Sequence, residues 1–276
     1  MASGFTRTVF FLETPRGQRF CIANAPAGPP LGTVLYFPPF AGEMSESRHM
    51  AALSAQALAS RGWLVLQPDP GGCGDSDGDF SNAAWHGWIE DMDAGWNWLI
   101  ERAPEGRRLL WTLRAGSLLA SDWLRSGEHR PDLLMWQPVL DGEQYLQQLL
   151  RSELAHRAFV EAGARPTITR MRELLDSGEA IEVAGYTLSS PLAQNMAAAR
   201  FSLLEGYGGR VIMIETGRRK GAPSSSLAAL RKTLAGSGIR ASASKVAGPA
   251  FWQTHASGDA QPLIEKTLLM LDGLRS

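Results

Sequence analysis

The segment 107–120 has the outline of a nucleophile elbow, the sharp turn that presents a catalytic side chain between a strand and a helix. An apolar strand ends at Thr112, passes through a turn of small residues and leads into an apolar helix beginning near Ala115. On the pattern G-x-S-x-G, Thr112 takes the first glycine, Arg114 the serine and Gly116 the second glycine. Because arginine stays protonated, it cannot attack a carbonyl. The segment therefore predicts the geometry of an elbow without its nucleophile.

Three roles are open to Arg114, of which a direct catalytic role is the least favoured. The other two are structural neutralisation and anion binding. Its guanidinium is neutralised by a carboxylate in the first, since Glu43, Asp141 and Glu215 end or follow predicted strands that face one crevice. In the second it binds an anion, because it precedes the helix that starts at Ala115, where free amides and the helix dipole favour carboxylate or phosphate. A planar guanidinium would add bidentate recognition. The sequence leaves both roles open.

Substitute nucleophiles and metal ligands are weakly indicated. The helix turn rotates Ser117 away from the tip of the elbow, and Cys73 lies in a glycine-rich turn typical of a buried structural thiol. An unpartnered role is favoured for His255 over that of a general base. No metal and no cofactor are predicted, because the remaining histidines form no pair at metal-ligand spacing: His49, His86, His129 and His156.

Strands and helices alternate along most of the chain, which predicts βαβ units on a mostly parallel sheet. The predicted strands are Phe5 to Leu12, Arg19 to Asn24, Thr33 to Phe37, Trp63 to Gln67, Leu109 to Thr112, Asp132 to Gln137, Gly209 to Glu215 and Ile239 to Val246. The predicted helices are Ser47 to Arg61, Ala84 to Glu101, Ala115 to Leu124, Ser224 to Leu234 and Pro262 to Leu274.

The alternation stops from Glu143 to about Leu204, where the pattern indicates several helices and no convincing strand. Such an insert between two sheet strands suggests a cap. We therefore divide one structural domain into an N-terminal part of the core (1–140), a helical cap insert (141–204) and a C-terminal part of the core (205–276).

Composition restricts the possible partners. The chain has 276 residues, 44% of them hydrophobic, which suffices for a substantial core. With 27 basic and 28 acidic residues there is no overall positive field for nucleic acid or an anionic membrane. No apolar run approaches the length of a membrane span. The presence of only two cysteines and the lack of a signal-like N-terminus favour a reducing cytoplasm.

The order of elements resembles the α/β-hydrolase superfamily over essentially the whole chain: an eight-stranded sheet, helices on both faces and a helical cap after the sixth strand. The strand that ends at Phe37 leads into a loop which, in such enzymes, supplies an oxyanion-hole amide. The loop begins with Pro38 and Pro39, which have no N–H, so Phe40 and Ala41 carry the first amides available there. The segment 67–76 resembles the Asp-x-x-Gly-x-Gly-x-Ser loop after the fourth strand.

Several stretches look like the exosortase A system-associated hydrolase 2 group: Phe37 to Met44 with Ser47-Arg48, Leu113-Arg114, Trp136 to Val139, Glu182 to Tyr186 and Phe251 to Thr254. The resemblance implies a bacterial cytoplasmic protein linked to the exosortase and exopolysaccharide gene neighbourhood. It supplies no substrate, and a fold does not imply a function.

The resemblance also indicates where the acid and the base of a catalytic triad would be expected in this chain. The acid position beyond the seventh strand is occupied by the basic run 218–220, which either lies in solvent or contributes to the anionic site. The base position after Gly248 is Pro249, and His255 comes several residues later. Nucleophile, acid and base are thus all displaced or absent, whereas Ser-His-Asp chemistry requires a hydrogen-bonded chain of the three.

The sequence therefore predicts an α/β-hydrolase-fold domain whose crevice is lined by Phe40, Glu43, Arg114, Asp141 and Glu215, with Ala41 and Ala115 as further ligand contacts. The favoured function is binding of an anionic or acylated small molecule, or of a partner protein in exosortase and exopolysaccharide metabolism. The alternatives are an ester or thioester hydrolase or acyltransferase in which Glu43, Asp141 or His255 activates water, and a purely structural interaction protein.

Overall fold

The computed structural model describes residues 4–127, 129–160, 167–253 and 258–273, with the side chains of 156–160 left aside. The strands, in chain order, are β1 Phe5–Thr14, β2 Gly17–Pro26, β3 Gly32–Phe37, β4 Trp63–Pro68, β5 Arg107–Leu113, β6 Asp132–Trp136, β7 Ile181–Val183, β8 Tyr186–Leu188, β9 Val211–Gly217 and β10 Ala241–Ala247. Eight of them form one sheet in the order β1-β2-β4-β3-β5-β6-β9-β10.

Most of this sheet is parallel, as predicted. Strand β2 pairs antiparallel with both β1 and β4, and the pairs from β4 through β10 are all parallel. Every residue of β3 is buried, as expected of a central strand covered on both faces. Its side chains alternate between the two sides, so that Leu35 and Phe37 pack in one core while Val34 and Tyr36 pack in the other.

The helices are α1 Ala41–Ala59, α2 Trp85–Arg102, α3 Gly116–Ser126, α4 Gly142–Val160, α5 Ile168–Asp176, α6 Ser190–Ala198, α7 Ser225–Gly236 and α8 Gln261–Asp272. Buried residues of α8 and of the later turns of α1 pack on one face of the sheet, and those of α2, α3 and α7 pack on the other, together with Met44 at the start of α1. Within the described ranges, no helix is both long enough and apolar enough to cross a membrane.

The insert between β6 and β9 contains α4, α5 and α6, which pack on one another and on the α2 side of the core. The prediction of an insert without strands was wrong in one respect, because β7 and β8 form an antiparallel hairpin. Its turn residues Ala184 and Gly185 both have positive φ, at 52° and 79°, as a tight type I′ hairpin turn requires. Strands of three residues are too short to produce a clear alternation in the sequence.

Helix α1 begins at Ala41, well before the predicted start at Ser47. The apolar repeat of Met50 and Leu58 indicated only its later turns, although Met44 and Ser47 are also buried. The early start places Glu43 in the first turn of the helix, where the dipole favours a negative charge.

The elbow has the predicted form. Arg114 lies between β5 and α3 with φ at 52°, a left-handed conformation that only a constrained turn imposes on a non-glycine residue. Gly116 is required by close packing, since a Cβ added there would lie 2.6 Å from the carbonyl oxygen of Phe37 and 2.9 Å from that of Pro38. The second glycine of the elbow pattern therefore permits α3 to approach the end of β3.

We expect Gly116→Ala to lower the free energy of unfolding by about 2 kcal/mol, because backbone atoms rather than a flexible side chain block the new methyl group. Urea denaturation measures this loss. A Cβ added to Gly236, at the end of α7, meets no atom within 4 Å, so Gly236→Ala is the matched control and should be neutral or stabilising. Equal stability of the wild type and Gly116→Ala would contradict the close approach.

Candidate ligand-binding site

Arg114 is the centre of a small network of polar groups at the elbow. Its Nε donates to Oε1 of Glu43 at 3.1 Å, and its Nη2 donates to Oε1 of Gln148 at 2.9 Å. The guanidinium carbon lies 5.6 Å from the ring centre of Tyr145 and 5.4 Å from that of Trp252, within the range of cation–π attraction. Arg114 is only 7% exposed. Of the two roles that the sequence left open, neutralisation by a carboxylate is thus realised, with Glu43 as the partner.

Glu43 is held on both carboxylate oxygens. While Oε1 accepts from Arg114, Oε2 accepts from the phenol of Tyr145 at 2.9 Å. Burial raises the pKa of Glu43 above its ordinary value, and the positive charge of Arg114 and the Tyr145 hydrogen bond oppose that rise. Burial and the adjacent carboxylate also raise the pKa of Tyr145, so the phenol keeps its proton and remains a donor. Helix α1, the elbow and α4 are therefore joined through one carboxylate.

A cavity of about 520 Å³ opens on the other side of Arg114. It lies between the carboxyl ends of β6 and β9, the first three turns of α4 and the start of α7. Of the predicted crevice residues, Arg114, Asp141 and Glu215 line it, together with the α4 side chains of Gln144, Tyr145, Gln147, Gln148 and Arg151 and the residues Ser224 and Ser226 near α7. A cavity therefore lies at the carboxyl ends of the strands, where the sequence predicted a crevice.

Asp141 lines this cavity but has other partners than Arg114. Its Oδ1 accepts the backbone N–H of Gln144 at 3.0 Å and so caps the first turn of α4. Its Oδ2 lies 3.2 Å from Nε of Arg200, and the two residues also form a backbone bridge. The carboxylate therefore joins the two ends of the cap insert, and it does not neutralise Arg114.

Glu215, 4% exposed, also serves a structural contact. Its Oε1 accepts the backbone N–H of Ser224 at 2.7 Å and lies 3.7 Å from Nζ of Lys245. These contacts close the loop between β9 and α7. The basic run within that loop, residues 218–220, is exposed and does not line the cavity, so it is not brought to Arg114.

The structure does not bring the predicted oxyanion-type contacts to this cavity. Phe40 is 1% exposed and stacks on Trp88 with ring centres 4.5 Å apart, so it belongs to the core. Ala115 is fully buried, and Ala41 and Glu43 lie outside the set of cavity-lining residues. The cause is the side chain of Arg114 with its partner Glu43, because together they fill the space above the elbow that a serine would leave open.

The alternative nucleophiles are structural, as the sequence favoured. The buried hydroxyl of Ser117 lies 2.7 Å from the carbonyl oxygen of Arg114 and 2.6 Å from that of Val139, so it is engaged as a donor within the backbone of the turn. Burial raises the pKa of Cys73 to about 12, which keeps it a thiol. The candidate His255 lies outside the described residues. No group of three potential metal-ligating residues occurs within the described part of the chain.

Sequence reasoning missed Tyr145, Gln148 and Arg151. All three lie on α4, where Gln148 and Arg151 follow Gln144 along one face at spacings of four and three, and Tyr145 lies three residues before Gln148. That polar stripe was visible, but nothing in the chain indicated that it faces the elbow. Only the fold brings α4, which begins 28 residues after Arg114, over the guanidinium.

Comparison with known proteins identifies the fold. No protein-family model matches the chain, and no curated protein matches it. Similar solved structures include the ferulic-acid complex of Est1E from Butyrivibrio proteoclasticus, with a TM-score of 0.69 and 14% identity over 97% of this chain and all of that one. A thermostable carboxyl esterase from Bacillus coagulans has a TM-score of 0.62 and 13% identity over 98% of both chains. An α/β serine hydrolase without a lid from Xanthomonas campestris has a TM-score of 0.56 and 12% identity over 94% of this chain and 90% of that one. The chain therefore has the α/β-hydrolase fold, as predicted.

The buried ion pair of Arg114 and Glu43 should make the stability of Arg114 variants depend on pH. Arg114→Ala removes the positive charge but leaves Glu43 buried, so the pKa of Glu43 rises further. A carboxyl group with a raised folded-state pKa stabilises the protein at low pH, and that stability is lost as the pH rises through the folded value. We expect Arg114→Ala to cost about 3 kcal/mol of unfolding free energy at about pH 8, and clearly less at about pH 5.

Urea denaturation of wild type and Arg114→Ala across this pH range tests the prediction. In a background of Glu43→Gln, the loss caused by Arg114→Ala should no longer depend on pH, because the titrating group is gone. A loss that is the same at both pH values with Glu43 present would show that Arg114 does not neutralise this carboxylate.

Proposed function

We propose that this chain binds a small hydrophilic anion in the cavity beside Arg114 and does not hydrolyse esters through a serine. The proposal rests on one observation above all: a guanidinium occupies the tip of the elbow, where the fold otherwise presents a nucleophile, and it lines a cavity large enough for a small ligand.

The free donors of the cavity favour an anion. Nε and Nη2 of Arg114 are engaged, and within the described residues Nη1 has no protein partner. Gln148 receives the Arg114 hydrogen bond on its oxygen, which leaves its NH₂ group as a donor. Arg151, an exposed residue one helical turn further along α4, forms no ion pair within the described part of the chain. Two guanidinium groups and an amide thus face a cavity whose carboxylates already have partners.

The same lining favours a hydrophilic ligand over an acyl chain. Most of the cavity residues contributed by α4 and α7 are amides, hydroxyls or charged groups. An alkyl chain would separate these groups from water without replacing their hydrogen bonds, at a cost of about 1–3 kcal/mol for each group left unpaired. We therefore narrow the anionic or acylated ligand that the sequence suggested to a carboxylate or phosphate with further polar groups.

The setting that we propose is bacterial and cytoplasmic, in exosortase and exopolysaccharide metabolism. The support is the sequence resemblance to the exosortase A system-associated hydrolase 2 group, together with two buried cysteines that form no disulfide. A partner protein in that pathway is the second candidate for the binding partner.

A hydrolase or acyltransferase remains the alternative function. The raised pKa of Glu43 favours it, since a general base needs a pKa nearer to neutrality. Both oxygens of Glu43 already accept hydrogen bonds, however, and Asp141 is held by Arg200 and the cap of α4. Water activation would require one of these groups to leave its partner, which is why we favour binding.

Anion binding should appear as thermal stabilisation. At a hundredfold excess over the dissociation constant, we expect inorganic phosphate or gluconate to raise the melting temperature by about 5 °C relative to chloride at equal ionic strength. Hexanoate should give a smaller shift than gluconate. Arg151→Ala should abolish most of the effect without changing the melting temperature of the free protein, because Arg151 is exposed.

Arg231→Ala is the control for this experiment, because Arg231 is an exposed arginine of α7 outside the cavity lining. It should respond to the anions as the wild type does. No stabilisation of the wild type by phosphate, gluconate or hexanoate would reject the anion site. A larger shift with hexanoate would instead support the acylated ligand.

Serine-directed probes separate binding from hydrolysis. A fluorophosphonate should not label the folded wild type, because the Ser117 hydroxyl is buried and donates within the turn. Arg114→Ser should also show no esterase activity above background on short-chain p-nitrophenyl esters, since Pro249 and the basic run 218–220 stand at the other two triad positions. Strong activity in Arg114→Ser would reveal a working base and acid and would favour the hydrolase alternative.

A further inference from the structure

Strand β1 forms one edge of the eight-stranded sheet, and its two faces differ in environment. On one face Phe10 stacks on Trp98 of α2, with ring centres 5.0 Å apart, and Leu12 packs against the core. On the other face Val9 and Phe11 are 54% and 51% exposed. A long edge strand with large apolar side chains in solvent is a template for pairing with another strand.

The backbone of β1 also has groups directed to this open edge. Phe11 lies opposite Phe20 of β2, and the Phe20 carbonyl accepts from Asp69 on the far side of β2. In an antiparallel ladder, residues that turn their polar groups away from the partner strand lie opposite residues that do the same. The N–H and C=O of Phe11 therefore point away from β2, and the alternation of the strand extends this to Arg7, Val9 and Glu13.

We propose that β1 pairs antiparallel with β1 of a second copy of this chain, with Phe10 at the two-fold axis. In this register Arg7 lies opposite Glu13 of the second copy, and Val9 opposite its Phe11. All four residues belong to the set whose backbone groups face the edge, so the same register forms the hydrogen bonds and pairs the side chains. Arg7 and Glu13 form no ion pair among the described residues of one chain, although each has a hydrogen bond to a neutral amide side chain.

The charges select this register and this partner. A shift that centres the pair on Val9 or on Phe11 keeps the hydrogen-bond pattern, but it places Arg7 opposite Phe11 in the first case and Glu13 opposite Val9 in the second. Only the register centred on Phe10 joins opposite charges and apolar side chains together. Because the strand is complementary to itself, a second copy satisfies it and yields one continuous sheet across the dimer.

Sedimentation velocity over a dilution series of the full chain tests the apolar contact. We expect the wild type to sediment as a dimer that dissociates on dilution and Val9→Lys to sediment as a monomer. Leu269→Lys is the matched control and should remain dimeric, because Leu269 is 65% exposed on α8, which contacts β9 and β10 at the opposite end of the sheet from β1. A wild type that is monomeric at all concentrations, or a dimer that survives Val9→Lys, would overturn the proposal.

Charge exchange tests the register. Arg7→Glu or Glu13→Arg alone places like charges opposite each other at two symmetric positions, which should weaken the dimer by about tenfold or more. The double variant Arg7→Glu/Glu13→Arg restores both pairs and should recover the wild-type dissociation constant. Circular dichroism melts confirm that each variant folds. Failure of the double variant to recover dimerisation, with its fold intact, would reject the register centred on Phe10.

Discussion

The ion pair between Arg114 and Glu43 is the interaction on which the rest of the site depends. A guanidinium at the tip of the elbow is surrounded by buried side chains, and an isolated charge there would be strongly destabilising. The carboxylate of Glu43 compensates this charge, but it is itself withdrawn from water and needs further donors. Tyr145 supplies one of them. The network therefore extends, by necessity, from the core to the cap insert.

The need to neutralise Arg114 explains why the backbone of the elbow has its usual geometry while the side chains around it differ from those expected around a serine. The left-handed backbone at Arg114 and the close approach at Gly116 are features of the turn and do not depend on the side chain that it carries. The side chain determines what fills the space above the turn. With arginine there, Nε donates a hydrogen bond to Glu43, and the opposite side of the guanidinium borders the cavity. A guanidinium in this position cannot attack a carbonyl, but it can donate hydrogen bonds to an acceptor in the cavity.

Much of this arrangement could be predicted from the sequence, and the errors have physical causes. The parallel sheet was evident because its inner strands are almost wholly apolar, and the elbow because its turn demands small residues. The carboxylates near the crevice were recognised, yet sequence cannot say which charge meets which. Asp141 pairs with Arg200 across the cap, and Glu215 closes the loop to Ser224. The start of α1 was missed since the apolar repeat begins only in its later turns.

Gln148 shows how the pair at the elbow determines the character of the cavity. A guanidinium only donates hydrogen bonds, so the side-chain amide of Gln148 must turn its oxygen to Arg114. In the reversed orientation the NH₂ group of the amide would face the N–H groups of Arg114, and no hydrogen bond could form. Its NH₂ group is then directed away from Arg114 and adds to the donors that Arg151 supplies. A ligand that accepts from this amide would stabilise the orientation in which Gln148 holds Arg114, and Arg114 in turn holds Glu43. On the function that we propose, occupation of the cavity should tighten the contact between α4 and the elbow and so couple ligand binding to the junction of cap and core.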